Sequence, residues 1–89
     1  MAHAELTLIG KPGCHLCDDA RTVIAEVTES LRGNPGSPSI TLSEVSILDD
    51  QALFDEHVED IPVVLINGRI HTFWRVDPAR LTTALLGVR

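Results

Sequence analysis

Two cysteines in a C-x-x-C spacing are the residues of this sequence best suited to chemistry. They are Cys14 and Cys17, the only cysteines of the chain, and they stand in the stretch KPGCHLCDDA between a Pro-Gly pair and two acids. Two thiols at this spacing can form an internal disulfide, or they can direct two thiolates to one metal ion. Redox exchange and metal binding are therefore the two candidate chemistries.

A helix that begins at the motif would make the first thiol reactive. Apolar residues recur at helical spacing after the cysteines, which predicts a helix with Cys14 at its N-terminus and Cys17 one turn further in. Unpaired backbone N–H groups and the positive end of the helix dipole stabilise a thiolate there. We therefore predict that Cys14 attacks a substrate disulfide and that Cys17 resolves the mixed disulfide.

Four neighbours of the cysteines bear on the predicted thiolate. Lys11 and a protonated His15 would stabilise it. Asp18 and Asp19 would oppose it, and the sequence does not decide which influence prevails. Lys11 and His15 can equally be interpreted as solvated loop residues without a role.

The first half of the chain predicts a strand, the long helix and a second strand. Residues 5–9 (ELTLI) form a short apolar run typical of a buried strand. Gly33 can end the helix in a left-handed C-cap. The second strand, at residues 40–47, loses its alternation at Glu44, which predicts a bulge or a late strand start.

The second half of the chain predicts a short helix, a hairpin and a final helix. The signals are, in chain order, a helix cap at Asp49 or Asp50, the apolar run VVLI after Ile61-Pro62, a hairpin turn at Asn67-Gly68, a return strand at residues 69–74, and the cap-and-proline pair Asp77-Pro78. The first crossover is long enough to make the first two strands parallel. The prediction is an α/β fold of order β-α-β-α-β-β-α.

The motif and these elements together resemble the thioredoxin superfamily, and most closely its small glutaredoxin-like branch. The residues that carry the resemblance are ELTLI, Lys11-x-x-Cys14-His15-Leu16-Cys17, Ile61-Pro62 before VVLI, the Asn67-Gly68 hairpin and the helix from Pro78. The resemblance implies one glutaredoxin-like domain over residues 1–89, with a central four-stranded mixed sheet flanked by helices. It also implies a thiol-disulfide oxidoreductase with a dithiol mechanism, acting in cell redox homeostasis.

The resemblance further implies how substrate is held. In that family the proline is cis and faces the cysteines, and the residue before it binds the thiol peptide, roles that fall here to Pro62 and Ile61. Lys11 matches a basic residue that can hold a glutathione carboxylate. Phe73 and Trp74 stand where the family usually has Gly-Gly, so a protein disulfide is an alternative substrate to a glutathione mixed disulfide. No tightly bound cofactor is expected, and glutathione is a candidate co-substrate.

The net charge, the apolar stretches and the cysteine count indicate which partners and which cellular location to expect. A formal net charge of −6 repels nucleic-acid phosphates, and no apolar stretch approaches the roughly 20 residues that span a bilayer. Two cysteines are too few for the disulfide framework of a small secreted domain. We expect a soluble, cytoplasmic monomer whose partners are a protein disulfide or glutathione and an electron donor that the sequence does not identify.

Two other functions use the same cysteines. The first is a metal- or iron-sulfur-cluster-binding module, although a tetrahedral zinc site needs about four donors and Cys14 and Cys17 supply only two. The second is a thioredoxin-like scaffold with idle cysteines, which predicts two ordinary, slowly alkylated thiols.

Overall fold

The first strand lies inside the sheet because both of its sides are paired. The computed structural model describes residues 2–88. Strand β1 (His3–Gly10) pairs in parallel with β2 (Ser39–Ser46) and antiparallel with β3 (Val63–Ile66). Strand β4 (Arg69–Phe73) pairs antiparallel with β3, which completes the sheet order β2-β1-β3-β4. The predicted four-stranded mixed sheet is confirmed.

Within residues 2–88, two α-helices and one 3₁₀ turn connect the strands and a third α-helix follows the last strand, with strands and α-helices in the predicted order. They are α1 (His15–Leu31), the 3₁₀ turn (Ile47–Asp49), α2 (Gln51–His57) and α3 (Pro78–Leu86). Among residues 2–88, no helix is both long enough and apolar enough to cross a membrane.

The helix caps and turn residues predicted from the sequence are found at the predicted positions. Asp50 accepts hydrogen bonds from the first backbone N–H groups of α2, and Asp77 does the same for α3. Gly33 takes a φ of 82° just after α1. Asn67 and Gly68 take φ values of 51° and 81°, which a two-residue hairpin turn of this kind requires.

The core lies mainly on one face of the sheet. Helices α1 and α3 cover that face, and the buried side chains between the helices and the sheet are Ala4, Leu6, Leu8, Ala20, Ile24, Val27, Leu31, Val64, Leu81 and Leu85. A smaller cluster on the other side consists of Ile9, Ile47 and Val63, packed with Leu53, Phe54, Ile61 and Leu65. The smaller cluster includes the first residue of β3 and Ile61 just before it.

The prediction of a bulge or late start near Glu44 was wrong. Strand β2 pairs residue by residue with β1 over its whole length, and the register shift lies instead between Val64 and Leu65 opposite β4. The reason is exposure, because β2 is an edge strand on which Glu44 and most other side chains reach solvent. An exposed strand does not need strict apolar alternation. The predicted strands otherwise differ from the observed ones by one or two residues at their ends.

Candidate active site

Cys14 is the N-cap residue of α1. The chain leaves β1, turns at residues 11–13 through Gly13 with a φ of 75°, and reaches Cys14 in an extended conformation. The backbone N–H of Cys17 donates to Cys14 Sγ at 3.2 Å. The sulfur thus takes the position that a serine or aspartate oxygen occupies in an ordinary helix cap. Cys14 is partly exposed.

Cys17 is fully buried beneath Cys14. Its side chain packs on the backbone of Gly10, where an added Cβ would lie 2.8 Å from Cys17 Sγ. Burial raises the pKa of the Cys17 thiol to about 11, and a hydrogen bond with the Cys14 side chain adds to the rise. The backbone N–H of Lys11 and the charge of Arg21 act in the opposite direction on that pKa. A partly exposed cysteine and a buried, protonated thiol therefore lie one helical turn apart.

The two acids after the motif are both engaged with basic side chains. Arg21 donates from Nη1 to Asp18 Oδ1 at 2.8 Å and from Nε to Glu44 Oε1 at 2.6 Å. His15 Nε2 lies 3.7 Å from Asp19 Oδ2, with the histidine side chain almost fully exposed. Asp18 is thus paired with a permanently charged side chain, and Asp19 lies beside the exposed His15 ring.

The Ile61-Pro62 segment lies at the same end of the sheet as the cysteines. Val63 is the register partner of Ile9, the residue before Gly10, so the chain entering β3 runs beside the chain leaving β1. The Ile61-Pro62 peptide bond is cis, as the resemblance implied. Pro62 is buried, and its carbonyl accepts from the backbone N–H of Trp74 at 2.8 Å.

Trp74 forms a rim beside the motif. It follows β4 with a φ of 62°, and its indole Nε1 donates to the Glu59 carbonyl at 3.0 Å. Trp74 is 55% exposed and shares a small cleft with Leu16 of the motif. Phe73 stacks obliquely on it, with ring centroids 6.2 Å apart. These aromatic residues lie at the surface rather than in the core.

A second cleft, of about 370 Å³, opens on the side of Cys17. Charged side chains line it, among them Lys11, Arg21, Glu44 and Asp49. The part of the chain that the structure describes holds no group of three or more His, Cys, Asp or Glu side chains arranged for a metal ion.

The sequence also matches known proteins. Residues 5–86 match the family described as glutaredoxin-like domain (DUF836). The chain belongs to this glutaredoxin-like domain family. Uncharacterized proteins of Mycobacterium tuberculosis and Mycobacterium bovis are each 28% identical to this domain over 81 residues, which is 91% of this chain and 81% of theirs.

Solved structures share the fold of this glutaredoxin-like domain. Target protein XcR50 from X. campestris is 32% identical, with a TM-score of 0.69 over 90% of this chain and 93% of its own. Trxlp from Edwardsiella tarda, at 14% identity, has a TM-score of 0.51 over 92% of this chain and 81% of its own. The fold is thioredoxin-like, and a glutaredoxin-like domain with two adjoining cysteines indicates a role in thiol redox chemistry.

Three features of the site were not predicted from the sequence. They are the close approach of Gly10 to Cys17, the bridge from Arg21 to Glu44, and the two hydrogen bonds that tie Trp74 to the segment around Pro62. One of them left a signal in the sequence, because Arg21 follows Cys17 by four residues and so lies on the same side of the helix.

Proposed function

We propose that this glutaredoxin-like domain is a thiol-disulfide oxidoreductase that works through a Cys14/Cys17 dithiol-disulfide couple. The observation that carries the proposal is the contact between the two residues, in which Cys14 Sγ accepts the N–H of Cys17 at a helix N-terminus. That donor and the helix dipole stabilise negative charge on the exposed sulfur. The buried thiol lies one turn away and is kept from solvent.

The reaction proceeds by two exchanges. The Cys14 thiolate attacks one sulfur of a substrate disulfide, a Cys14–substrate disulfide forms, and the other substrate sulfur leaves as a thiolate that takes up a proton. Cys17 then loses its proton and attacks Cys14 Sγ, which breaks the mixed disulfide and releases the second substrate thiol. Two electrons pass to the substrate, and an external thiol donor, either glutathione or a reductase, regenerates the dithiol.

The segment around Ile61-Pro62 is the part of the site to which we assign substrate binding. It lies at the end of the sheet where β1 leads into the motif, and Ile61 is only partly buried. We propose that Ile61 and Pro62 shape the groove for the substrate backbone. Lys11 and His15 are exposed at the start of the motif and would contact charged groups of a glutathione or protein disulfide. No tightly bound cofactor is needed for these steps.

Serine replacements separate the two roles. Cys14→Ser should abolish disulfide turnover, because serine supplies no thiolate. Cys17→Ser should accumulate a mixed disulfide at Cys14, which mass spectrometry detects as a covalent adduct of the substrate thiol. Equal turnover by both variants and the wild type would refute the proposal.

Equilibration of the wild type in glutathione redox buffers, followed by alkylation and mass spectrometry, measures the couple itself. A reversible two-electron transition between dithiol and internal disulfide is expected. A midpoint reduction potential of about −200 to −230 mV would favour a glutaredoxin-like activity, and one of about −270 mV would favour thioredoxin-like reduction of substrates. Failure to form the internal disulfide at any ratio would contradict the dithiol mechanism.

A further inference from the structure

In the dithiol cycle Cys17 must lose its proton, and its burial makes this loss unfavourable. This thiol is fully buried, yet it must become a thiolate to attack the mixed disulfide on Cys14. Negative charge at a buried position needs a nearby positive charge or hydrogen-bond donors. The groups around Cys17 therefore decide how fast the mixed disulfide is resolved.

Charged groups face Cys17 from each element around its cleft. Lys11 belongs to the turn before α1, Arg21 to α1, Glu44 to β2 and Asp49 to the 3₁₀ turn, and all four line the same cleft as Cys17. Asp18, which follows Cys17 on α1, accepts a hydrogen bond from Arg21. Arg21 follows Cys17 by four residues, which brings the two side chains to neighbouring positions on one face of the helix.

Two carboxylates on different elements hold the Arg21 guanidinium in place. Asp18 accepts from Nη1 at 2.8 Å within α1, and Glu44 accepts from Nε at 2.6 Å across to β2. A guanidinium with two charge-assisted hydrogen bonds from separate directions keeps one orientation. The bridge therefore holds the guanidinium at the edge of the cleft that Cys17 also lines, where its positive charge offsets the Asp18 and Glu44 carboxylates.

We propose that Arg21 is a positioning residue for the resolving step, and that its fixed charge stabilises the Cys17 thiolate as it attacks Cys14. The inference rests on the proposed function. In the step concerned, the Cys17 proton passes to solvent through the cleft, the Cys17–Cys14 bond forms, and the Cys14–substrate sulfur bond breaks with release of the substrate thiolate. The substrate sulfur takes up a proton, so atoms, charge and the two electrons balance. In agreement with this role, the backbone N–H of Lys11 and, to a smaller extent, the charge of Arg21 lower the pKa of Cys17 against the effect of burial.

A chromogenic aryl disulfide, 5,5′-dithiobis(2-nitrobenzoate), separates the two exchanges in one stopped-flow trace. The first equivalent of aryl thiolate reports the attack by Cys14, and the second reports the attack by Cys17 on the mixed disulfide. Arg21→Gln leaves the Asp18 and Glu44 carboxylates without their positive partner. It should therefore slow the second phase about threefold to tenfold, as expected for the loss of one unit charge about one helical turn away in a mostly aqueous environment. The first phase should change less than the second.

Arg32→Gln is the matched control. Arg32 forms a similar surface pair with Glu29 at 3.4 Å, three residues away on the same helix but at its far end. This variant should leave both phases unchanged. Arg21→Lys should retain most of the second-phase rate, because it keeps the charge and loses only the forked geometry.

The pH dependence distinguishes an electrostatic role from a structural one. The pH at which the second phase reaches half its maximal rate should be higher in Arg21→Gln than in the wild type. Arg21→Lys should keep a value close to that of the wild type, and its second phase can be measured even if Arg21→Gln does not fold.

The outcomes separate the inference from the proposed function. A second phase in Arg21→Gln equal to that in Arg32→Gln, or one with the wild-type half-maximal pH, overturns the role of Arg21 while the dithiol mechanism stands. Equal slowing of both phases also overturns it, since that result shows a general structural defect. A wild-type trace with no second phase overturns the proposed function itself, and the inference with it.

Discussion

Replacement of Gly10 by alanine tests the packing that holds the resolving thiol. The new Cβ would lie 2.8 Å from Cys17 Sγ and 3.2 Å from Cys17 Cβ, both well inside ordinary contact distance. Both residues are buried, so neither can move into solvent. Gly10 does not have a positive φ, so alanine fits the backbone and the cost is steric alone.

The size of the effect follows from two opposing terms. Overpacking of this kind costs about 1–3 kcal/mol, and replacing glycine gains about 0.4–1 kcal/mol by restricting the unfolded chain. We expect Gly10→Ala to lower the free energy of unfolding by about 1–2 kcal/mol. That loss corresponds to a fall in melting temperature of about 4–16 °C for a domain of this size.

Chemical denaturation under reducing conditions is the assay, and Gly36→Ala is the matched control. An added Cβ at Gly36 meets only an ordinary contact, 3.5 Å from the Asn34 side chain. In a double-mutant cycle, Cys17→Ala removes the sulfur that the new methyl group meets, so it should recover about 0.5–3 kcal/mol when combined with Gly10→Ala. A Gly10→Ala domain as stable as Gly36→Ala, or additive effects in the cycle, would refute the reasoning.

Two further predictions concern titration and helix capping. Because burial raises the pKa of Cys17 from an ordinary 9.0 to about 11, the unfolded thiol ionises before the folded one, so the reduced protein should lose stability between about pH 9 and pH 11. The loss should reach at most about 1.4 kcal/mol per pH unit in urea titrations, and an identical pH dependence in Cys17→Ser would contradict it. Asp77→Ala should destabilise the domain by about 1 kcal/mol, since Asp77 Oδ1 accepts from the N–H groups of Ala79 at 2.9 Å and Arg80 at 3.3 Å. Asp77→Asn keeps the acceptor and should be nearly neutral, so equal melting temperatures for the two variants would count against the cap.

The sequence by itself determined the order of the elements and the position of the cysteine pair. Glycine and proline turn signals, the caps at Asp50 and Asp77, and the helical spacing of apolar residues act within a few residues of one another. Such signals have the same effect in most tertiary settings. The placement of Cys14 at a helix N-terminus follows from these local signals, and the structure confirms it.

Only the tertiary structure decided how the rest of the site meets the cysteines. Arg21 binds Glu44, which is 23 positions away in the sequence, and the backbone N–H of Trp74 donates to the Pro62 carbonyl across the open end of the β3–β4 hairpin. The regular pairing of β2 likewise depended on its position at the sheet edge rather than on its own alternation. These contacts depend on the register of the strands and on the distance at which α1 packs on the sheet, and no short stretch of sequence encodes either quantity. The close approach of Gly10 to Cys17 is the clearest case, because a residue that the sequence marks only as the end of a strand determines where the resolving sulfur can lie.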